Sequence, residues 1–107
     1  MKSDSVYIAQ ILDSISKIRS FTDGYTRGLF FKDQKTQSAV IMQLALIGEL
    51  AKKVSSDIRA KTSIPWSDIA GFRDRAIHHY YEVDLCIVWD TVMNDLKILE
   101  DGLKHIK

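Results

Sequence analysis

The chain contains very few residues that interrupt a helix. Its 107 residues include one proline and five glycines, and the strict alternation of apolar and polar residues that marks a half-buried strand is nearly absent. Apolar residues recur instead at intervals of three and four, the period of an amphipathic helix. We therefore predict an all-α fold: an up-and-down bundle of four long helices with one or two short helical turns, in a single domain over residues 1–107.

The boundaries of the helices follow from the apolar spacing and from the turn residues between the periodic segments. The four long helices are predicted at residues 5–19, 34–55, 64–80 and 83–106. A short helical turn is expected at 25–31, after Thr22-Asp23-Gly24 ends the first helix. The polar stretch 56–63 is expected to form a connection that is either irregular or partly helical, and Pro65 suits the first turn of the third helix.

The second long helix is apolar over an unusually wide arc. Its core-facing stripe is expected to consist of Val40, Leu44, Ile47, Ala51 and Val54. Met42 and Leu46 lie well round from that stripe, beside Glu49. A helix that is apolar on two sides is generally buried on two sides, so the second side is either a dimer face or the inner side of a central helix surrounded by its own neighbours. The first alternative predicts a homodimer with Met42, Leu46 and Glu49 at its interface.

Charge and cysteine content restrict the classes of partner. Fifteen basic and fourteen acidic residues give a formal net charge of +1, so any attraction for nucleic acid must be local. The single Cys86 cannot form an internal disulfide, which fits a reducing cytoplasm, and its apolar neighbours predict an inert buried thiol. The N-terminus lacks the apolar core of a signal peptide, and no apolar stretch is long enough to span a membrane. We expect a cytoplasmic protein without a membrane partner.

The chemically richest segment is residues 72–81, which holds two arginines, two histidines and two tyrosines. Arginine binds phosphate through a rigid fork of donors, and histidine exchanges protons near neutral pH. On a helix, Arg73 falls in the middle of a core-facing stripe formed by Trp66, Ile69, Ala70, Ala76 and Ile77. Because a fully buried arginine is rare unless paired, Arg73 either extends past the stripe to solvent or lies in a polar cleft. Tyr80 should follow about two turns further along nearly the same line.

Asp74 and His78 are four residues apart and share another face of the same helix. A carboxylate at that spacing can accept a hydrogen bond from the imidazole and orient it for acid–base catalysis, although an ordinary surface pair has the same spacing. Gly71 in the interior of the helix suggests close approach of another chain or of a substrate. Arg73 and His78 point about 140° apart on a straight helix, so they would act on one phosphate most easily if two chains packed across a two-fold axis.

Other types of site are weakly supported. The three histidines have no acidic residue or cysteine at ligand spacing, and the adjacent His78 and His79 point to different sides of a helix, so no metal site is expected. The sequence has no glycine-rich phosphate loop and no nucleophile elbow. Trp66 and Trp89 are interpreted as core residues rather than as a stacking platform.

The residues of this segment resemble a known family. Arg73, four intervening residues, His78, one residue and Tyr80 form the R-x4-H-x-Y signature of the HEPN superfamily, in its HepT-like toxin branch. Ile47-Gly48-Glu49 is similar to a segment of that family's long central helix, and Pro65-Trp66 is similar to the lead-in to its motif helix. The similarity extends over nearly the whole chain.

The resemblance implies a homodimeric, metal-independent endoribonuclease, without a cofactor, that is the toxin of a toxin–antitoxin pair. Arg73 and His78 would line a cleft at the dimer interface, with Asp74 in support, and would cut RNA, such as tRNA or mRNA, by means of its own 2′-hydroxyl. The antitoxin would be a minimal nucleotidyltransferase that transfers AMP to Tyr80, with Tyr81 as the less favoured acceptor. The alternative is a weakly active or inactive helical adaptor that binds a nucleotidyltransferase, since Asp74 stands where relatives often have asparagine.

Overall fold

The structure, a computed structural model, describes residues 3–106, apart from the side chain of Ile77. Within that range it is helical and has no strand, so the predicted all-α fold is confirmed. The helices are α1 (Asp4–Thr22), α2 (Arg27–Lys32), α3 (Gln34–Lys53), α4 (Ser56–Ala60), α5 (Trp66–His78), α6 (Leu85–Asp90) and α7 (Leu96–Lys104). A π-helical segment, Thr91–Asp95, joins α6 to α7 without a break. These three pieces form one long C-terminal helix, which with α1, α3 and α5 makes the four long helices expected.

Local side-chain chemistry fixes where α3 begins. Gly24 has a φ of 75°, in the left-handed region that glycine tolerates best, and it turns the chain after α1. Asp33 is the N-cap of α3, and its carboxylate accepts a hydrogen bond from the backbone N–H of Thr36. The Tyr25 hydroxyl also donates to Asp33. These bonds hold the start of α3 in place and connect it to the preceding turn.

Helix α3 lies at the centre of the molecule, between α1 and α5. The apolar stripe predicted for it is buried in full: Val40, Leu44, Ile47, Ala51 and Val54. On its outer side, by contrast, Met42 is 55% exposed and Leu46 is 42% exposed. The described part of the chain therefore leaves this side uncovered, which contradicts the alternative of a central helix surrounded by its own neighbours.

The two tryptophans are core residues, as predicted. Trp66 and Trp89 are both buried, and the Trp89 ring packs against Phe30 with 5.2 Å between ring centroids. Cys86, expected to be buried, is partly exposed. The prediction was wrong because Cys86 lies beside the residues of α6 that face inward, Val88 and Trp89, rather than among them.

Helix α5 is shorter than predicted. It ends at His78 because His79 leaves the helical conformation, with φ −134° and ψ 43°. A 3₁₀ turn, Tyr80–Glu82, follows, so Tyr80 does not continue the line of Arg73 along one helix as expected. The core-facing stripe of α5 is confirmed at Trp66 and Ala76, whereas the side chain of Ile77 lies outside the described residues.

Candidate active site at the contact between α3 and α5

Gly48 permits an unusually close approach of α3 to α5. A Cβ atom at this position would lie 2.8 Å from Cβ of Arg73 and 2.8 Å from the carbonyl oxygen of Ile69. Neither atom belongs to the flexible end of a side chain, so α5 would have to move to admit it. The absence of a side chain at Gly48 therefore brings the stem of Arg73 directly onto α3.

Arg73 is half-buried between α3 and α5 and pairs with two carboxylates. Its Nε is 3.2 Å from a carboxylate oxygen of Glu49 on α3, and its Nη1 is 3.3 Å from Oδ1 of Asp74. The side chain is 34% exposed. Of the two alternatives considered for Arg73, the structure agrees with the first, since the side chain reaches solvent and is paired on the way.

Asp74 joins two cations instead of orienting His78. Its Oδ1 accepts a hydrogen bond from Lys52 Nζ at 3.0 Å, as well as the bond from Arg73. The hydrogen bond from Lys52, followed by that from Arg73, holds the pKa of this carboxyl below its ordinary value. No hydrogen bond joins Asp74 to His78 in the described part of the chain, so the expected pairing is corrected. Because α5 packs on α3, Lys52 at the end of α3 comes within reach of Asp74.

His78 is the last residue of α5, and its side chain is exposed. Among residues 3–106 it makes no side-chain hydrogen bond or ion pair, whereas His79 approaches Glu82 at 3.7 Å and His105 contacts the carbonyl of Asp101 at 2.6 Å. The His78 imidazole is thus open to an incoming molecule. No contact among these residues joins it to Arg73.

Tyr80 is placed beside α3 by the 3₁₀ turn. Its hydroxyl is 3.1 Å from the hydroxyl of Ser38, and its side chain is 44% exposed. Tyr81 is fully exposed, and its ring packs edge-on against that of Tyr80. The structure thus distinguishes the two tyrosines, since Tyr80 is held at the surface of α3 whereas Tyr81 extends into solvent.

Gly71, unlike Gly48, does not allow another helix of the described chain to pack closely against it. A Cβ atom at Gly71 would meet only the end of the Arg75 side chain, at 3.4 Å. Within the described chain no element approaches it closely, so the close contact expected at Gly71 is not made inside one protomer.

Sequence reasoning overlooked Lys52 and Ser38. Both contact motif residues far along the chain: Lys52 bonds Asp74 across 22 positions, and Ser38 approaches Tyr80 across 42. Neither contact leaves a periodic signal in the sequence. Lys52 could have been found only through its spacing from Gly48, which places both residues on neighbouring positions of one helix face.

Two general features of the described residues limit other kinds of site. Residues 3–106 contain no group of three or more histidine, cysteine or acidic side chains placed to hold a metal ion. In the same range, no helix combines the length and the hydropathy needed to cross a bilayer.

Comparison with known proteins relates this chain to ribonucleases. The model of a family described as "Ribonuclease HepT-like" matches residues 11–106. A protein of Methanocaldococcus jannaschii named as a "putative RNase" is 38% identical over 111 residues, which cover 99% of this chain and 92% of that protein. A "probable ribonuclease HepT" of Thermococcus cleftensis is 36% identical, with 99% of this chain and 97% of the relative covered. No solved structure matches the chain significantly.

Proposed function

Because the chain belongs to the Ribonuclease HepT-like family, we propose that it is an endoribonuclease acting as the toxin of a toxin–antitoxin pair. The observation that carries this proposal is that Arg73 is paired and at the same time partly exposed. Its Nε pairs with Glu49 and its Nη1 contacts Asp74, and the side chain as a whole is 34% exposed, so solvent reaches it. A planar fork held in this way suits bidentate binding of a phosphate.

In the proposed reaction, the RNA supplies its own nucleophile. The 2′-hydroxyl oxygen forms a bond to the adjacent phosphorus as the bond from phosphorus to the 5′-oxygen breaks. The products are a 2′,3′-cyclic phosphate and a free 5′-hydroxyl. Arg73 binds the phosphate and stabilises the negative charge that grows on its oxygens. His78 either takes the proton from the 2′-hydroxyl or gives a proton to the leaving 5′-oxygen. This scheme needs no metal ion or cofactor.

The site is proposed to be completed by a second copy of the chain. Arg73 and His78 are five positions apart on α5, and helix geometry turns their side chains about 140° from each other. A two-fold axis beside α5 would bring the arginine of one protomer near the histidine of the other. The uncovered side of α3, with Met42 and Leu46 exposed and Glu49 at its end, supports this arrangement by offering an apolar surface.

Cleavage of RNA in the presence of EDTA tests the reaction. A mixed-sequence single-stranded RNA should be cut by the wild-type chain and resist cutting when every 2′-hydroxyl is replaced by hydrogen. His78→Ala should slow cleavage by about two to four orders of magnitude, the usual contribution of a general acid or base, and Arg73→Ala should also be severely impaired. His105→Ala is the matched control, because the hydrogen bond of His105 is to the Asp101 carbonyl on the C-terminal helix, away from the α3–α5 contact. Equal rates of cleavage by wild type and His78→Ala would exclude this mechanism, and no cleavage by the wild type would favour a non-catalytic adaptor.

The toxin is proposed to be switched off by an antitoxin of the minimal nucleotidyltransferase type that transfers AMP to Tyr80. The side chain of Tyr80 is 44% exposed, and it follows Arg73 and His78 closely in the chain. An added adenylate would place a bulky anion near the phosphate site and would exclude RNA by charge and by volume.

The intact mass of the chain, co-expressed with the proposed nucleotidyltransferase antitoxin, tests the switch. The mass should increase by that of one or more AMP units, and the increase should lie on a peptide that contains Tyr80. The addition should disappear in Tyr80→Phe and persist in Tyr81→Phe, the matched control one position away. Persistence in Tyr80→Phe and loss in Tyr81→Phe would move the modification to the other tyrosine.

A further inference from the structure

Lys52 and Arg73 share one acceptor. Lys52 Nζ lies 3.0 Å from Oδ1 of Asp74, and Arg73 Nη1 lies 3.3 Å from the same oxygen atom. Two cations from different helices thus converge on a single point, which a carboxylate oxygen now occupies. An oxygen of a phosphate is an acceptor of the same kind and satisfies the same donors.

The contacts around this point can be exchanged readily. The side chains of Lys52 and Asp74 are 38% and 54% exposed, and ion pairs at such exposure are weak. Glu49 holds Arg73 through Nε, a different nitrogen from the one that contacts Asp74. A phosphate could therefore displace the Asp74 carboxylate while Arg73 stays anchored to α3.

We propose that Lys52 is a second phosphate-binding residue of this site, and that Asp74 occupies its place as an internal competitor until RNA arrives. Displacement of Asp74 would leave Lys52 and Arg73 as a pair of cations on one phosphate, or on two successive phosphates. The ligand class is the phosphate backbone of a nucleic acid. Selectivity for RNA would come from the 2′-hydroxyl at the reaction step, since these contacts read only the backbone. This inference rests on the proposed ribonuclease function and adds one residue to its binding surface.

Substitutions of Lys52 and of Asp74 are expected to change RNA binding in opposite directions. Removing Lys52 removes an attraction, whereas Asp74→Asn removes a competing negative charge and leaves both cations free. A purely structural role, in which the Lys52–Asp74 pair only joins α3 to α5, gives no such opposition. In that case both variants would lower the melting temperature, and neither would change the dependence of RNA binding on salt.

The experiment measures the binding of a short fluorescent single-stranded RNA of mixed sequence at a series of salt concentrations. All of its 2′-hydroxyls are methylated, so that it cannot be cut. Lys52→Met should weaken binding at low salt by roughly three- to tenfold, as expected for one exposed charged contact. It should also reduce the slope of log affinity against log salt by about 0.7, the value for one phosphate of a single strand. Lys52→Arg should restore both quantities, and Asp74→Asn should bind more tightly than wild type.

Lys97→Met is the matched control. Lys97 is also an exposed lysine in an ion pair, with Asp101 at 3.5 Å, but that pair lies on the C-terminal helix and includes no arginine. The proposal is overturned if Lys52→Met and Lys97→Met bind with the same affinity and slope, or if Asp74→Asn binds no more tightly than wild type. It is also overturned if the wild-type chain does not bind this RNA. Binding without cleavage of the unmodified RNA would refute the ribonuclease proposal alone, because the binding measurement does not depend on chemistry.

Discussion

Arg73 is a charged residue in the middle of an otherwise apolar helix face, and its surroundings explain how it is tolerated there. Its stem lies against α3 at Gly48, its Nε pairs with Glu49, its Nη1 contacts Asp74, and the side chain is partly exposed. The guanidinium is therefore paired without being fully desolvated, which avoids the large penalty of an isolated buried charge. The same arrangement restricts the motion of the side chain and leaves part of it exposed for a ligand.

Asp33 is a second residue whose charge is held by neighbouring groups. The hydrogen bond from the Tyr25 hydroxyl, followed by those from Thr36, lowers the pKa of Asp33 from 3.8 to about 2. A carboxylate with a depressed pKa stabilises the folded state fully above its ordinary pKa, and this contribution is lost as the pH falls toward its folded value. The contribution of Asp33 should therefore disappear between about pH 4 and about pH 2.

Tyr25→Phe tests this assignment, because it removes the largest cause of the pKa shift and keeps the N-cap bond that the Thr36 N–H donates to Asp33. The Asp33 carboxyl, followed by NMR during an acid titration, should titrate at a higher pH in Tyr25→Phe than in the wild type. The acid midpoint of unfolding should rise as well. Identical titration curves for Asp33 in the two proteins would contradict the role given to the Tyr25 hydroxyl.

At the scale of elements, the contact between α3 and α5 depends on one glycine. Gly48→Ala should destabilise the fold by about 1–3 kcal/mol, the range for added volume in a packed interface. The new Cβ would press on the backbone at Ile69 and on the stem of Arg73. Urea denaturation gives the free energy of unfolding.

Gly71→Ala is the matched control, since Gly71 is also a glycine within a long helix. Its Cβ would meet only a flexible arginine end, so the substitution should leave stability unchanged or raise it by up to about 1 kcal/mol. Equal destabilisation by the two substitutions would show that Gly48 is not required for the close approach of α5.

The helices themselves could be predicted because their signal is local. The apolar residues of α3 recur at three and four positions, and all five members of the predicted stripe are buried. The end of α5 was misjudged by two residues because nothing in the sequence around His79 marks a helix end clearly.

The contacts of the candidate site were less predictable than the helices. The spacing of Asp74 and His78 suggested a pair, but Lys52, which lies 22 positions earlier, bonds Asp74 in the structure.

At the scale of the whole molecule, the uncovered side of α3 is expected to form the dimer interface. Met42→Lys should leave the fold of each protomer intact, because the side chain is 55% exposed, and should weaken dimerisation by at least about tenfold by placing a charge in an apolar contact. Sedimentation analysis over a range of concentrations measures the change.

Met93→Lys is the control for this prediction, since Met93 lies on the C-terminal helix and is also 55% exposed. It should dimerise as the wild type does. Loss of the dimer in Met93→Lys and its retention in Met42→Lys would place the interface on the C-terminal helix instead.

In the proposed dimer, Arg73 of one protomer and His78 of the other act on the same phosphate. A heterodimer tests this most directly, with Arg73→Ala in one differently tagged chain and His78→Ala in the second, purified through both tags. If the site is shared, one of the two composite sites keeps both residues, and the heterodimer should cut RNA at about half of the wild-type rate although each variant alone is nearly inactive. A heterodimer as inactive as its two parents would contradict a site shared between chains.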